Sequence, residues 1–418
     1  MENLVDCLEN WTRSQPEKCL FNFLDGKGNS KEQYTYRAFQ DRTLAVAARL
    51  AEQAGLQYGD RVLLVYPPGL EMMVGFFACL RLGAIPVPVC APMTTASKAA
   101  VERIEHVAQD CDACIALTSA NYLRGISEVA EVEGRGTRAV RILPSLQWLA
   151  TDDTDETPVA SVRQQINPTL FLQYTSGSTG APKGVIVTHG NVLHNARSSQ
   201  LNPVGVSWIP QYHDMGLIGH HLFVVVLGGS NHAFAPFDFL KRPALWLQTI
   251  SRVGATSTAA PNFAYEYCLR EDKVSDEALR DVDLSSLKMM LNGAEPVNPH
   301  TYTRFYERFA KYGLDREAFE VAYGLAENTL VVSRRGRQTV TVQKQRLQQG
   351  QLLIHKSMSR NNNHLSLVSC GPPVATLDVR IVDPDSRVSI GGNGIGEIWV
   401  DGDSKCAGYW QRPELTQD

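Results

Sequence analysis

The sequence predicts an α/β fold in which two doubly wound, mostly parallel sheet subdomains precede a small β-rich, barrel-like subdomain. Three observations support this prediction. Helical and strand-like segments alternate from the start of the chain, several strand-like segments are continuously apolar, and short β-like runs between Gly, Pro and Asp turns fill the last part of the sequence. With 418 residues, of which 44% are hydrophobic and 20% charged, the chain is long enough for two or three subdomains with large cores.

The first subdomain is predicted to span residues 1–167. Apolar residues recur at helical spacing after Tyr36, and Gly55 is placed to end that helix. The apolar run that starts at Arg61 is typical of a strand buried on both faces. The same reasoning predicts helices at 36–54, 70–82 and 98–110, and strands at 61–66, 85–89 and 113–117. This alternation favours a doubly wound parallel sheet.

The second subdomain is predicted to span residues 168–333 and the third residues 334–418. In the second, Asn298 can cap a helix whose first turn accommodates Pro299. The third begins with a basic stretch, residues 334–366, which holds seven Lys or Arg and no Asp or Glu. Short β-like runs at 377–382 and 396–400 follow and predict the barrel-like part.

Charge and cysteine content limit the kinds of partner and compartment. Because 40 Lys and Arg oppose 44 Asp and Glu, the net charge is −4, which argues against nucleic acid as the main partner. No apolar segment is long and uninterrupted enough for a membrane span, and the acidic start of the chain is unlike a signal peptide. Nine irregularly spaced cysteines favour reduced thiols and a cytoplasmic location.

The segment that says most about function is rich in glycine and hydroxyl residues and lies between strand-like runs at 169–173 and 185–188. Its glycines let many backbone N–H groups face a polyanion, its hydroxyls add donors, and Lys183 adds a positive charge. The spacing differs from that of a Walker A loop because Gly184 follows the lysine. The segment consists of Thr175, Ser176, Gly177, Ser178, Thr179, Gly180, Ala181, Pro182, Lys183 and Gly184. It predicts a phosphate-binding loop.

This loop resembles the phosphate-binding signature of the adenylate-forming superfamily, which contains acyl-CoA synthetases, luciferases and the adenylation domains of peptide synthetases. The signature T-S-G-[ST]-T-G-x-P-K-G is matched without a mismatch. Further motifs follow in the same order: NGAEP at 292–296, AYGLAE at 322–327, GEIWV at 396–400 and GYW at 408–410. The resemblance covers essentially the whole chain.

Other segments resemble one branch of this superfamily, the fatty acyl-AMP ligases. They are WIPQYHDMGL at 208–217, PNFAY at 261–265 and SCGP at 369–372. The basic stretch 334–366 lies where these ligases carry an insertion that acyl-CoA synthetases lack. By this resemblance the insertion limits movement of the C-terminal domain, so that the fatty acid passes to an acyl carrier protein rather than to coenzyme A.

The resemblance implies ATP and Mg²⁺ as cofactors and assigns roles to individual residues. The implied catalytic residues are Thr175, Lys183, His213 and Glu327, and Glu327 is the implied magnesium ligand. The implied nucleotide-binding residues are Thr175, Ser176, Gly177, Ser178, Thr179, Gly180, Lys183, Gly293, Ala294, Glu295, Ala322, Tyr323 and Gly324. The implied acyl-binding residues are His213, Met215, Ile218, Phe237, Asn262 and Phe263.

Relatives continue with a T-G-D segment and a small C-terminal domain, and neither occurs before Asp418. We therefore expect this chain to be the N-terminal domain, with the small C-terminal domain absent, which binds its ligands but adenylates weakly. Three alternatives stay open at this point. They are an acyl-CoA synthetase, an amino-acid adenylation domain whose substrate ammonium would meet Asp238, and a non-enzymatic carrier-protein docking module that uses the basic stretch.

Overall fold

The computed structural model describes residues 3–92, 98–125, 146–153, 164–175, 182–199, 202–355, 363–374, 376–391 and 394–417. The strands are β1 (Cys19–Leu24), β2 (Ser30–Thr35), β3 (Arg61–Leu64), β4 (Ile85–Pro88), β5 (Ile115–Thr118), β6 (Gln147–Ala150), β7 (Thr169–Thr175), β8 (Lys183–Thr188), β9 (Val204–Ser207), β10 (Ser230–Phe234), β11 (Ser257–Ala260), β12 (Met289–Asn292), β13 (Phe319–Gly324), β14 (Val331–Gly336), β15 (Thr339–Gln343), β16 (Ile354–His355), β17 (His364–Val368), β18 (Asp378–Val382) and β19 (Glu397–Asp401).

The α-helices are α1 (Leu4–Ser14), α2 (Tyr36–Gln53), α3 (Glu71–Leu82), α4 (Lys98–Asp110), α5 (His189–Ala196), α6 (Phe223–Leu227), α7 (Pro236–Lys241), α8 (Ala244–Val253), α9 (Asn262–Cys268), α10 (Pro299–Phe309), α11 (Lys344–Gln348) and α12 (Pro413–Gln417). A π-helix spans Met215–Leu222, and short 3₁₀ segments span Glu277–Leu279, Ala310–Tyr312 and Ala326–Asn328. No helix among the described residues is both long and apolar enough to cross a bilayer.

The larger sheet has the strand order β14–β13–β12–β11–β9–β10–β1–β2. Its pairs from β13 through β1 are parallel, whereas β2 and β14 add antiparallel edges. Apolar cores lie on both faces: one contains Phe21, Phe39 and Phe77, and the other contains Trp246 and Phe305. Helices on both faces of a mostly parallel sheet are the doubly wound arrangement that the sequence predicts.

The smaller sheet has the order β4–β3–β5–β6, and all its pairs are parallel. Beside it lies an antiparallel hairpin made of β7 and β8, with β7 packed against β4. Helices α2, α3 and α4 begin and end within one residue of the predicted positions. The prediction of two mostly parallel sheets is therefore confirmed.

The last region differs from the prediction, because no closed barrel is present in the residues described beyond position 333. β15 pairs with β16 and β17, and β18 pairs with β19, but these two antiparallel sheets share no paired strand. The segment near the C-terminus pairs elsewhere: the N–H groups of Ala407 and Trp410 donate to the carbonyls of Ile186 and Gly184 on β8. The barrel-like expectation was wrong because alternating runs predict strands but not which strands become neighbours.

Sheet membership also does not follow the chain segments 1–167 and 168–333. β1 and β2 precede residue 167, yet β1 pairs with β10 in the larger sheet. The first 35 residues thus complete an edge of a sheet whose other strands come from residues 204–336. The subdomain boundaries given above stay a prediction.

Candidate active site

Two cavities meet at His213 and Asp214, which line both of them. The first, of about 250 Å³, lies against the ends of strands β11, β12 and β13, and we call it the sheet-side cavity. The second, of about 440 Å³, lies beside the β7–β8 hairpin, and we call it the hairpin-side cavity. Residues Tyr212 to Asp214, directly before the π-helix, therefore lie between a mainly apolar cavity and one whose lining has a larger polar share.

The walls of the sheet-side cavity come from alternate residues of two neighbouring strands. Ser257 and Ala259 of β11 and Met289 and Leu291 of β12 face it, because residues two apart in a strand lie on the same face. The π-helix and α6 form the opposite wall. Their lining residues recur about every fourth position: Met215, Gly219 and Phe223. Small side chains on β11 and at Gly219 leave the space that larger residues would fill.

Two polar side chains of the sheet-side cavity carry no free charge at neutral pH. His220 lies 4% exposed, and burial, with the neighbouring His221 as a second cause, lowers the pKa of its imidazole to about 3. Arg334 is paired with Glu320 at 2.7 Å and also donates to the carbonyl of Ser198. The cavity wall is thus apolar or neutral beyond His213 and Asp214. A third cavity of about 380 Å³ shares His220, Phe223 and Arg334 with it.

One rim of the sheet-side cavity is formed by residues at the carboxyl ends of β12 and β13: Gly293, Ala294, Ala322, Tyr323 and Gly324. Gly324 has no room for a side chain, because a Cβ there would collide with the carbonyl oxygen of Leu330. Ala294 has a φ of +67°, a left-handed conformation that is uncommon for a residue with a side chain. Burial, followed by Glu327, raises the pKa of the half-buried Tyr323 phenol.

The hairpin-side cavity lies beside the end of the β7–β8 pair at which Thr175 is the Cα partner of Lys183. Thr175 and Pro182 line the cavity. The Nζ atom of Lys183 lies 5.5 Å from the ring centre of Tyr409, a cation–π contact. The predicted loop residues Ser176, Gly177, Ser178, Thr179 and Gly180 lie outside the described residues.

Glu327 reaches the hairpin-side cavity from the 3₁₀ segment Ala326–Asn328. Its Oε1 accepts a hydrogen bond from the Tyr409 hydroxyl at 2.8 Å, and its carbonyl accepts one from the Cys406 N–H. Burial, and next the bond to Glu327, raise the pKa of Tyr409 to about 12. Tyr409 therefore contacts both Lys183 and Glu327 and fixes these two side chains relative to each other.

His213 is a half-exposed side chain whose Nδ1 lies 2.7 Å from Oδ1 of Asp214. The same carboxylate oxygen accepts a hydrogen bond from the Met215 N–H at 2.6 Å, which orients it at the start of the π-helix. The hydrogen bond to Asp214 raises the pKa of His213, and this effect exceeds the opposing effect of burial. The hydrogen bond to Asp214 therefore stabilises the protonated form of the imidazole at the junction of the two cavities.

Several residues that the resemblance implied line neither cavity. Ile218 is fully buried in the core, whereas Phe237 and Phe263 are 56% and 44% exposed. Asn262 is buried and accepts hydrogen bonds from the Asn292 side chain and the Asn298 N–H. Glu295 accepts from the Phe263 N–H at the surface. In the described structure Ile218 packs in the core, and Asn262 and Glu295 accept hydrogen bonds from backbone N–H groups, whereas Met215 lines the sheet-side cavity. The binding roles of these residues stay predictions.

Sequence reasoning missed other lining residues. In the sheet-side cavity these are Ser198, Ser199, Asp214, Gly219, His220, Phe223, Ser257, Ala259, Met289, Leu291, Leu330, Val331 and Arg334. In the hairpin-side cavity they include Arg103, Gln173 and Tyr212. The alternation of residues 257 and 259, and of 289 and 291, was visible in the sequence. It indicates a shared face only once β11 and β12 are known to be neighbours.

Comparison with known proteins shows which family the chain belongs to. Residues 8–410 match the AMP-binding enzyme family. The chain is 31% identical to the medium-chain-fatty-acid–[acyl-carrier-protein] ligase JamA of Moorena producens, over 99% of this chain and 70% of that protein. It is 35% identical to the long-chain-fatty-acid–AMP ligase FadD23 of Mycobacterium tuberculosis, over 99% of this chain and 72% of that protein.

Solved structures are similar too. A fatty acyl-adenylate ligase from Legionella pneumophila, in complex with acyl adenylate and pyrophosphate, superposes with a TM-score of 0.85 at 32% identity, covering 99% of this chain and 71% of that chain. The family that the sequence motifs indicated is thus confirmed. The chain belongs to the AMP-binding enzyme family and, within it, to the adenylating ligases of the fatty acyl-AMP type.

Proposed function

We propose that this chain joins a fatty acid carboxylate to the α-phosphate of ATP, releasing pyrophosphate, and that the acyl-adenylate is passed to an acyl carrier protein. The observation that carries the proposal is the meeting, at His213 and Asp214, of a mainly apolar cavity with a second cavity whose lining has a larger polar share. In this arrangement the acyl chain occupies the sheet-side cavity and the phosphates occupy the hairpin-side cavity. Their reacting atoms then meet at the junction.

The chemistry requires positive charge and fixed dipoles, because a carboxylate and a polyphosphate repel each other as they approach. Lys183 stands at the hairpin end with its Nζ held above Tyr409, and Thr175 lies opposite it in the same pair of strands. We assign these two residues to the phosphates, together with the loop residues 176–180 of the sequence motif. Charge-assisted hydrogen bonds of this kind are worth about 1.5–3 kcal/mol each.

The nucleoside part of ATP is assigned to the rim formed by β12 and β13. Tyr323 offers an aromatic face for adenine, and Gly293, Ala294, Ala322 and Gly324 present backbone rather than bulk. At Gly293 a Cβ would lie 3.0 Å from the Ala322 carbonyl oxygen, so a side chain would be tight at this rim. Glu295, which resemblance also placed here, lies outside the cavity.

Glu327 fits the role of a magnesium ligand. Its Oε1 takes a hydrogen bond from Tyr409, and the second carboxylate oxygen is available to a cation. Mg²⁺ is commonly held by one or two carboxylates, with substrate phosphates and water supplying the remaining oxygens. When bound, it would neutralise phosphate charge. Among the described residues no cluster of three or more metal-binding side chains occurs, so the fit rests on Glu327 with the nucleotide.

His213 is assigned to the reacting carboxylate and the adenylate phosphate. Because Asp214 raises the pKa of His213, the ring can carry a positive charge and two N–H donors at the junction. Nδ1–H is directed at Asp214, which leaves the Nε2–H for the substrate. The proposed role is to orient the anionic oxygens, with Asp214 holding the ring in place.

A fatty acid suits the sheet-side cavity better than an amino acid does. Its walls offer a substrate ammonium no carboxylate apart from Asp214, which is engaged by His213. Asp238, the residue that could have bound an ammonium, does not line the cavity and instead lies beside Gly26. An unpaired charge in the apolar space would cost several kcal/mol.

The acceptor and the location are further parts of the proposal. The relative JamA is named for an acyl-carrier-protein acceptor, and we extend this acceptor to the present chain. An acyl-CoA synthetase is the alternative. None of the nine cysteines forms a disulfide, which supports the proposed cytoplasmic location.

The test is to incubate the chain with ATP, Mg²⁺ and fatty acids of increasing length, and to identify the product by mass spectrometry. We expect acyl-adenylates from fatty acids and none from amino acids. Addition of a holo carrier protein should then yield an acyl thioester, whereas coenzyme A should not. Adenylates from amino acids alone would contradict the substrate class, and efficient acyl-CoA formation would contradict the acceptor.

A further inference from the structure

The hairpin-side cavity contains a cation that the roles given above leave unused. We propose that Arg103 is a phosphoryl-binding residue of this site, contributed by helix α4 rather than by the β7–β8 hairpin. The inference rests on the proposed function and deepens it, because it names a second positive group for the phosphates beside Lys183.

Helix α4 brings Arg103 to the cavity. Arg103 and Val107 are one helical turn apart, and both line the hairpin-side cavity. Ile104 and Ala108, on an adjacent face of the same helix, are buried in the core over the smaller sheet. This core packing fixes the rotation of α4, so that the cavity-facing position of Arg103 does not depend on a loop.

Among the described residues, no carboxylate neutralises the charge of Arg103. Its side chain is exposed, and within the part of the chain that the structure describes no carboxylate lies within 4 Å of its guanidinium. The carboxylates lining the cavity, Asp214 and Glu327, are engaged by His213 and Tyr409. Tyr212, another lining residue, lies near enough that the charge of Arg103 partly opposes the rise in its pKa, which burial chiefly causes.

The chemistry that suits this position is a phosphoryl group. Asp214 and Glu327 add negative charge to a cavity that must hold a polyphosphate, so a further cation beside Lys183, His213 and a bound Mg²⁺ would strengthen phosphoryl binding. A guanidinium offers a planar set of donors that can bind two phosphate oxygens at once. Two sources can supply such a group under the proposed function: the β- and γ-phosphates of ATP, or the phosphate of the phosphopantetheine arm that an acyl carrier protein bears.

The test compares Arg103→Ala and Arg103→Lys with Arg304→Ala, an exposed arginine of α10 that lines neither cavity. Calorimetry measures the Kd of MgATP and of adenosine for each variant. A second arm measures 4′-phosphopantetheine and pantetheine in the presence of a non-hydrolysable acyl-adenylate mimic. We expect Arg103→Ala to weaken one of the two phosphorylated ligands about tenfold, with adenosine and pantetheine unchanged. Arg103→Lys should recover part of the loss, and Arg304→Ala should match the wild type.

Loss confined to MgATP assigns Arg103 to the nucleotide, and loss confined to phosphopantetheine assigns it to the acceptor. Unchanged affinity for both, or an equal loss for adenosine, would overturn the inference, because only a phosphoryl contact separates the ligands of each pair. If the wild-type chain binds neither MgATP nor the acyl-adenylate mimic, the proposed function fails and this inference fails with it. If the wild type binds MgATP and the acyl-adenylate mimic, and Arg103→Ala leaves the affinities for MgATP and phosphopantetheine unchanged, only this inference is contradicted.

Discussion

The two cavities that meet at His213 are built in different ways, and the difference separates selectivity from chemistry. The sheet-side cavity is walled by alternate residues of β11 and β12 and by the π-helix, all within a well-packed core. The hairpin-side cavity is assembled from the β7–β8 hairpin, α4 and the short segment that bears Glu327. The first can sort substrates by shape, whereas the second collects charges around a reacting group.

The largest effect is expected in the hairpin-side cavity, from Glu327→Gln. The amide can still accept the hydrogen bond from Tyr409, but it removes the negative charge that a magnesium ion requires. ATP–pyrophosphate exchange should fall about a hundredfold or more, since several kcal/mol of charge stabilisation are lost. Binding of a fatty acid in the sheet-side cavity should stay within twofold of the wild type.

The matched control for this variant is Glu295→Gln. Glu295 belongs to a neighbouring motif but lies outside both cavities, where it accepts from the Phe263 N–H. We expect its exchange rate to equal that of the wild type. Equal losses of exchange activity in Glu327→Gln and Glu295→Gln would show that both substitutions act by destabilising the fold. The assignment of separate roles to the two cavities would then be wrong.

The second largest effect is expected from a substitution that fills the sheet-side cavity with a larger side chain. Ala259→Phe places a ring between β11 and the π-helix, so the affinity for long acyl chains should fall about tenfold or more. Short acids and adenosine should bind as before. Ala259→Val should give a smaller loss, and titration with acids of increasing length would measure both. A uniform loss across all chain lengths would instead indicate that the acyl chain lies elsewhere.

Local sequence signals predicted helices α2, α3 and α4 to within one residue, but not most of the residues that line the sheet-side cavity. The boundaries of α2 follow from apolar spacing and Gly55, both of which are local. Thr175 and Glu327 line the same cavity, and Tyr409 contacts both Lys183 and Glu327, because the hairpin, the segment after β13 and the segment near the C-terminus pack together. Tyr323 lies at the end of β13, on the rim of the neighbouring cavity. By contrast, the positions of Ser257 and Met289 depend on strand order, which no short segment encodes.

The exposed aromatic residues also show that a local sequence pattern does not predict which side chains line a cavity. Phe237 and Phe263 looked like tunnel residues because they are apolar and lie in matching motifs, yet they are 56% and 44% exposed. The direction of a side chain on α7 and α9 is set by which face packs on the core. Phe239 and Tyr265 occupy those buried faces. Apolar character alone does not identify the face that a helix buries.

The smallest effect is expected at the boundary itself, from Asp214→Asn. The Asp214 carboxylate raises the pKa of His213, so its removal should move the imidazole titration to lower pH. NMR titration of the His213 ring would measure this shift directly. In the wild type, affinity for an acyl-adenylate mimic should fall as the pH rises through the pKa of His213, because the protonated ring is lost. In Asp214→Asn the affinity should begin to fall at a lower pH. Near neutrality this variant should therefore bind the mimic a few-fold more weakly than the wild type does.

The sign of this pH dependence distinguishes the junction from the cavity wall beyond it. His213 has a raised pKa, so the stability it contributes is present at low pH and is lost as the pH rises through its folded-state pKa. His220 behaves in the opposite way, because burial lowers its pKa to about 3. The stability that neutral His220 contributes to the folded protein is present above the ordinary histidine pKa and is lost as the pH falls below it. An affinity that rises with pH between 6 and 8 would therefore contradict the assignment of the charged ring to His213. An affinity that is constant between pH 6 and 8 in both the wild type and Asp214→Asn would show that binding does not depend on the charge of His213. The proposed role of His213 in orienting the substrate oxygens would then be wrong.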